Sequence, residues 1–277
     1  MVARNEQKVM ARPLPKAVIH INFLAEILLF DPRRIWTALS RAESTGIVNP
    51  GTTQTVQNDL GPTAVCLAQR DYVLRMAVNV LKESVSSLAG RIPDPWTIPE
   101  VESGGILYRV VSGKEIFKDR EKALLAVDSI LFEFRAYLEL MAKFVFGVLK
   151  GIGHAPPPQK RIASGQLLTI VTKKGEFKAH NFLLYLCDQL SLDTGWYGFL
   201  VKHRNFFTHE GAPYIAIEDR MVRPPEFEFI VMRVNIHDFA KVGTEDYFRL
   251  SEFTNIVTGL KELSAKAQEH LVALLER

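Results

Sequence analysis

The chain has 277 residues, 47% of them hydrophobic and 23% charged, with a formal net charge of +3. That is the make-up of an ordinary globular protein with enough chain for one large core or two smaller ones, and its mild basicity permits a polyanionic partner without requiring one. Its two cysteines, Cys66 and Cys187, have neither a CxxC spacing nor a Cys/His spacing, which argues against a disulfide framework or zinc site and fits a reducing compartment.

Residues 1–15 are polar, carry Pro13 and Pro15, and read as a loose leader. Residues 17–29 predict an apolar helix, too short and too interrupted by His20, Asn22 and Glu26 to be a membrane span or a signal peptide. With no other candidate span, a cytoplasmic protein is expected. Asp31-Pro32 is an N-cap and N1 pair that opens a second short helix through Ile35, Trp36 and Leu39. Residues 43–62, rich in Ser, Thr, Asn, Gly and Pro and without periodicity, predict a long loop.

From Asp71 to Leu88 the apolar residues recur at three and four, predicting a helix that Gly90 stops. Residues 91–100 hold Pro93, Pro95 and Pro99 and read as a linker, followed by a short strand over Ile106 to Val111. The longest helix is predicted from about Phe117 to Leu149, ended by Gly151 and Gly153, with Pro156-Pro157-Pro158 preventing its resumption. A helix over Phe182 to Leu190 buries Cys187, and another runs from Trp196 through Phe206 and Phe207. Tyr214 to Ile217 and Phe227 to Val234 alternate as two strands that can form a hairpin. A closing helix over Ser251 to Leu275 carries one continuous apolar stripe. The expected fold is therefore mainly α: a C-terminal antiparallel helix bundle over 106–277 with a small β-hairpin insertion, preceded by a helical N-terminal region over 1–105 of unassigned role.

The hexapeptide Arg204-Asn205-Phe206-Phe207-Thr208-His209, cut off by Gly211 and Pro213, is the chemically richest feature. Arginine supplies a permanent planar cation that matches phosphate oxygens, and histidine a proton donor and acceptor near neutral pH. On a regular helix five residues advance about 500°, so Arg204 and His209 diverge by about 140°. They converge only if the helix end frays or a second subunit completes the pair. Asn205 and His209 are i and i+4, so Asn205 is placed to fix the imidazole tautomer. On the long helix Asp128, Arg135 and Glu139 fall within about 40° of one another. This ionisable stripe needs partners if it faces a core, and Arg204 and His209 are candidates; a solvated stripe with a Glu139–Lys143 pair is the plain alternative. Lys173, Lys174, Lys202 and His203, with aromatics among them, are candidate RNA contacts, although Phe199, Phe206 and Phe207 read first as packing residues. The motifs of nucleotide-binding loops, zinc proteases and serine hydrolases are all missing from the sequence, and His203 and His209 lie too far around the helix for a metal pair. No cofactor or metal is expected.

RNFFTHEG at a helix end, with the upstream helix DSILFEFRAYLELMAKF and the following HEGAPYIAIE, resembles the HEPN superfamily over roughly residues 117–277. Its members carry an Arg-x(4–6)-His motif, commonly with Asn or Asp after the arginine, and Asn205 matches. The resemblance implies metal-independent RNA cleavage: His209 as general acid/base, Arg204 stabilising the phosphorane-like transition state, Asn205 orienting the site, and a 2′,3′-cyclic phosphate product. It further implies a homodimer, a role as a toxin or defence protein, and a possible antitoxin or regulatory partner. Some members serve instead as non-catalytic RNA-binding, nucleotide-binding or protein-interaction modules, which is the alternative expectation.

Overall fold

A computed structural model describes residues 16–18, 30–91, 100–103, 106–110, 114–154, 180–191, 195–209, 213–219, 226–233 and 246–276. The protein is mostly helical with a small sheet. In chain order the elements are β1 (Lys16–Val18), α1 (Pro32–Ser44), α2 (Thr52–Arg91), β2 (Glu100–Ser103), β3 (Ile106–Val110), α3 (Lys114–Gly151), α4 (His180–Gln189), α5 (Gly195–His209), β4 (Tyr214–Asp219), β5 (Glu226–Met232), β6 (Tyr247–Arg249), a 3-10 turn (Leu250–Glu252) and α6 (Phe253–Leu275).

The cap expected at Asp31 is present: its Oδ1 accepts from the Arg33 N–H at 3.0 Å, and Pro32 opens the helix. The Arg33 side chain bonds the same carboxylate and holds it below the usual aspartate range, with desolvation opposing. Two bonds to residues distant in sequence seat this corner. The Phe30 N–H donates to the Tyr137 hydroxyl at 2.8 Å, and the Asp31 N–H donates to Gln268 Oε1 at 2.9 Å. The entry to α1 is thereby fixed to both α3 and α6.

Of the loop expected over 43–62, only residues 45–51 are non-helical: 43 and 44 close α1, and 52–62 are the first turns of α2, which begins at Thr52 and runs 40 residues. The cap is remote in sequence. Glu43, near the end of α1, accepts from the Gly51 N–H at 2.6 Å and the Thr53 N–H at 2.9 Å, satisfying donors that a local Ser, Thr, Asp or Asn would otherwise take. Gly46 and Gly51 adopt φ of 76° and 82°, conformations that side chains rarely take, and so turn the chain from α1 into α2. Pro62 lies inside α2. A proline there removes one helical hydrogen bond and crowds the preceding turn, but Val56, Leu60, Thr63 and Leu67 around it are buried, and that packing holds the helix through it.

α2 and α3 form the most extensive helix pair. Their approach uses small residues: a Cβ on Gly147 would meet Leu60 at 2.5 Å, and one on Gly151 would overlap the Val56 side chain. Arg70 of α2 reaches both carboxylate oxygens of the buried Glu133 of α3, at 2.7 and 2.9 Å. α3 ends as expected. Gly153 takes φ of 74°, and the His154 N–H bonds back to the Leu149 carbonyl at 2.7 Å, closing a Schellman motif.

The expected hairpin exists as β4 and β5, but it sits in a larger sheet. The order is β1-β5-β4-β3-β2, with β6 also on β5. β1 pairs parallel with Glu226–Glu228 and β6 pairs antiparallel with Ile230–Met232, so the two share one edge of β5. Lys16–Val18 is thus a strand where the apolar run predicted the start of a helix; residues 19–29 lie outside the described residues. Its β-conformation comes from the ladder that β5 offers, which no local pattern encodes. The leader over 1–15, residues 92–99 of the expected linker and the basic stretch around Lys173 and Lys174 also lie outside the described residues.

One core runs across the boundary expected at 105–106. It joins Leu74, Leu81 and Leu88 of α2 with Phe134, Met141 and Val145 of α3 and Ile256, Leu263 and Leu271 of α6. The sheet side is tied to α6 through Glu228, buried on β5, whose Oε1 accepts from the Ser251 N–H at 3.3 Å. Among the described residues no helix is long and apolar enough to cross a membrane.

Gly259 of α6 supports the Trp196 indole directly, since a Cβ there would meet ring atoms at 2.5 Å. Gly259→Ala is expected to destabilise by ~1–3 kcal/mol through overpacking against a rigid ring, which outweighs the ~1 kcal/mol gained in helix propensity. Gly90→Ala, at a position in α2 with nothing within 4 Å, is expected to be neutral or stabilising by up to ~1 kcal/mol. Urea unfolding of both variants checks the contrast, and equal effects would contradict the packing assigned to Gly259.

Candidate functional site

α5 buries Tyr197, Leu200, His203 and Phe206 against α3, α6 and the β6 region. The aromatic residues behave as packing residues. Phe206 is buried with the Arg233 guanidinium 5.5 Å from its ring centroid, and Phe199 packs edge-on against Phe248 at 5.5 Å. Cys187 on α4 is buried, as its apolar surroundings predicted, and burial pushes its thiol up to about 11.

His203, one of the expected RNA contacts, is not available for that role. Only 3% of it is exposed. Its ring lies 4.0 Å from Phe199 and 4.3 Å from Phe248, centroid to centroid. Desolvation, reinforced by the charges of Arg233 and Lys202, lowers it to about 3, so it is a neutral imidazole at physiological pH. The residue next to the motif arginine faces inward because α5 presents the 197, 200, 203 and 206 positions to the core, a spacing the sequence already contained. Lys202, one position earlier, is exposed.

Arg204 is half-buried. Asp128 is raised above the usual aspartate range by desolvation, with the Arg204 charge opposing that rise, which places the two groups within electrostatic reach. The Arg204 Nε is buried and has no hydrogen-bond partner among the described residues, while Nη1 approaches Asn205 Oδ1 at 3.5 Å, a marginal bond. Asn205 therefore leans on the arginine, whereas the sequence spacing had offered it to His209. The Thr208 hydroxyl donates to the Arg204 carbonyl at 2.9 Å, and α5 stays regular through His209, its last residue, which is exposed. The fraying that would swing His209 toward Arg204 is absent, so within one chain the two side chains leave the helix on different sides.

The stripe on α3 splits in two. Asp128 faces Arg204, whereas Arg135 and Glu139 pair with each other at 3.3 Å, both partly exposed. The partner of Glu139 is thus Arg135, in place of the Lys143 of the solvated alternative. Next to Asp128 a cavity of about 460 Å³ opens between α3, the end of α5 and β4, lined by Arg120, Glu121, Leu124, Leu125, Asp128, Phe207, Pro213 and Tyr214. The Arg120 guanidinium lies 6.0 Å from the Tyr214 ring centroid. Sequence reasoning missed Arg120 and Tyr214. Glu121 had a signal, since it precedes Asp128 by one heptad and extends the stripe; Arg120 and Tyr214 had none, because their meeting is made by β4 folding back on α3. Among the described residues no group of three His, Cys, Asp or Glu side chains could hold a metal ion.

No protein-family model matches the chain, and neither a curated protein nor a solved structure matches it.

The lowered His203 has a thermodynamic consequence. Its unfolded value near 6.5 exceeds its folded value of about 3, so below pH 6.5 the unfolded state binds the additional proton and stability falls as pH drops. The contribution is intact above pH 6.5 and is lost at up to ~1.4 kcal/mol per pH unit toward pH 3. His203→Leu is expected to flatten the difference between unfolding free energies at pH 7 and pH 5. An unchanged difference would show that His203 is not the buried neutral group described.

Proposed function

We propose that the protein is a metal-independent endoribonuclease of HEPN type, with His209 moving the proton at the 2′-hydroxyl or leaving oxygen and Arg204 bearing the charge that develops on the phosphoryl oxygens. The observation that supports this reading most is the setting of Arg204. It is half-buried beside Asp128, with a buried Nε that has no partner among the described residues, next to a cavity carrying Phe207, Tyr214 and Arg120. A desolvated cation with spare donors suits a phosphate oxygen, and the aromatic walls suit a base. Lys202, exposed one turn from Phe206, and Lys173 and Lys174 supply further positive charge for RNA. The substrate is single-stranded or structured RNA, and the working unit is a homodimer in which a second copy brings its own motif close enough to complete the pair. A cytoplasmic toxin or defence role with an antitoxin or regulatory partner follows from the same reading.

A second reading has its own support. Arg204 and His209 leave α5 on different sides of a regular helix, which favours a non-catalytic RNA-binding or nucleotide-binding module in which Arg204 alone holds phosphate. RNA cleavage in EDTA separates the two. Wild type is expected to give fragments with 2′,3′-cyclic phosphate ends, His209→Ala to lose ~10²–10⁴-fold in rate, and Arg204→Ala ~10²–10³-fold, with folding unchanged because His209 is exposed and Arg204 only half-buried. Saturable RNA binding by wild type with no cyclic-phosphate product would establish the binding module. Full activity in a folded His209→Ala variant would remove the catalytic assignment.

A further inference from the structure

The Asp128 carboxylate lines the cavity beside the motif and is left without a bond. Among the described residues no hydrogen bond or ion pair reaches it, and Arg204 acts on it only across space. Desolvation raises its carboxyl above the usual aspartate range, with the Arg204 charge opposing, as expected of a half-buried acceptor that no donor stabilises. The rest of the cavity narrows what can satisfy it. Phe207 and Tyr214 are half-buried rings on its wall and Leu124 is buried behind them, which suits a flat ligand. Arg120 is held by Glu121 at 3.3 Å, so that pair brings little net charge. A cationic group would meet the positive charge of Arg204, and an anionic group would meet Asp128 itself. The volume, about 460 Å³, falls within the ~300–1,000 Å³ of small-ligand pockets.

These conditions call for a neutral, planar group with two N–H donors side by side. Of the four RNA bases only guanine has such an edge, in N1–H and the N2 amino group. Adenine and cytosine set one amino group beside a ring-nitrogen lone pair, and uracil sets one N–H between two carbonyls. Each of those three would turn a lone pair toward one oxygen of the carboxylate. We propose that the cavity is a guanine pocket, in which Asp128 accepts from N1–H and N2–H of the base, Phe207 and Tyr214 lie against its ring, and the site thereby selects guanine-containing RNA. The proposal rests on the preceding reading only in taking Arg204 as the phosphate contact, so it applies to a ribonuclease and to a binding module alike.

Calorimetric titration of the full chain with guanosine 3′,5′-bisphosphate, which offers a phosphate on either side of the base, tests this. It is expected to bind ~10–100-fold more tightly than its adenosine, cytidine and uridine counterparts. The inosine counterpart, which lacks only the N2 amino group, should lose ~10-fold. Asp128→Asn exchanges one acceptor for a donor, breaks no bond among the described residues, and should keep native helicity by circular dichroism. Xanthosine carries an oxygen where guanosine has the N2 amino group, so the Asp128→Asn variant should prefer xanthosine 3′,5′-bisphosphate to guanosine 3′,5′-bisphosphate. A purely structural role for Asp128 would not produce that reversal. Equal affinity for the guanosine and inosine compounds, no saturable binding of the guanosine compound, or a folded Asp128→Asn variant that keeps the guanosine preference would each overturn the pocket. The comparison with inosine needs no variant and decides the matter if Asp128→Asn fails to fold. RNA cleavage indifferent to guanine would remove the pocket and leave the ribonuclease reading standing, whereas guanine-selective binding without a cyclic-phosphate product would do the reverse.

Discussion

The close seating of α2 on α3 is the contact on which the other elements depend. It is possible because Gly147 and Gly151, one turn apart on α3, leave room for Leu60 and Val56. Two long helices in antiparallel contact bury a continuous apolar strip that neither could shield alone. At mid-length Glu133 is drawn out of water and compensated by both of its bonds to Arg70. Such a buried pair adds little net stability, but it penalises any register in which the carboxylate loses its partner. Close glycine contacts at one end and the Arg70–Glu133 pair in the middle therefore fix how far one helix can slide along the other.

With that pair in place, α3 offers its remaining faces to the rest of the chain. Tyr137 takes the Phe30 N–H and Gln268 takes the Asp31 N–H, so the entry to α1 becomes a junction of α3 and α6. α5 enters the space between α3 and α6, where Trp196 stacks on the open backbone of Gly259. The aromatic packing of Phe199, His203, Phe248 and Phe253 then fastens α5 to the sheet side. In this position α5 turns His203 inward, Arg204 toward Asp128 and His209 to solvent. The electrostatics of the site follow from the depth to which each residue is placed: a neutral imidazole in an aromatic cage, a partly desolvated cation facing a partly desolvated carboxylate, and an exposed histidine at the end of a helix.

Much of the helical framework was legible in the sequence. The apolar spacing of α3 and α6, the Asp31-Pro32 start of α1, the Gly153 stop of α3 and the alternation of β4 and β5 are local signals with local physical causes. The N-terminal turns of α2 were not legible, because their cap is a glutamate from the preceding helix and because Gly61-Pro62 resembles a break. The small sheet was only half legible: the alternating hairpin was visible, but β1 joins in parallel from the far end of the chain and β6 shares the same edge of β5. At the site the motif residues stood out, but their relations did not. Spacing tied Asn205 to His209 and grouped Asp128 with Arg135 and Glu139, whereas the fold ties Asn205 to Arg204 and leaves Arg135 and Glu139 to pair with each other.

The sequence by itself determined most of the helical segments outside the first turns of α2, which face of each is apolar, and which residue types are available for chemistry, because these depend on neighbours within a few positions along the chain. The tertiary structure alone decided that His203 is buried and neutral, that Arg204 comes within electrostatic reach of Asp128, that Arg120 and Tyr214 wall the cavity, and that one face of α2 is left apolar. Each of these depends on which surfaces meet across the core, and helix packing sets that through side-chain volume at contacts far apart in sequence.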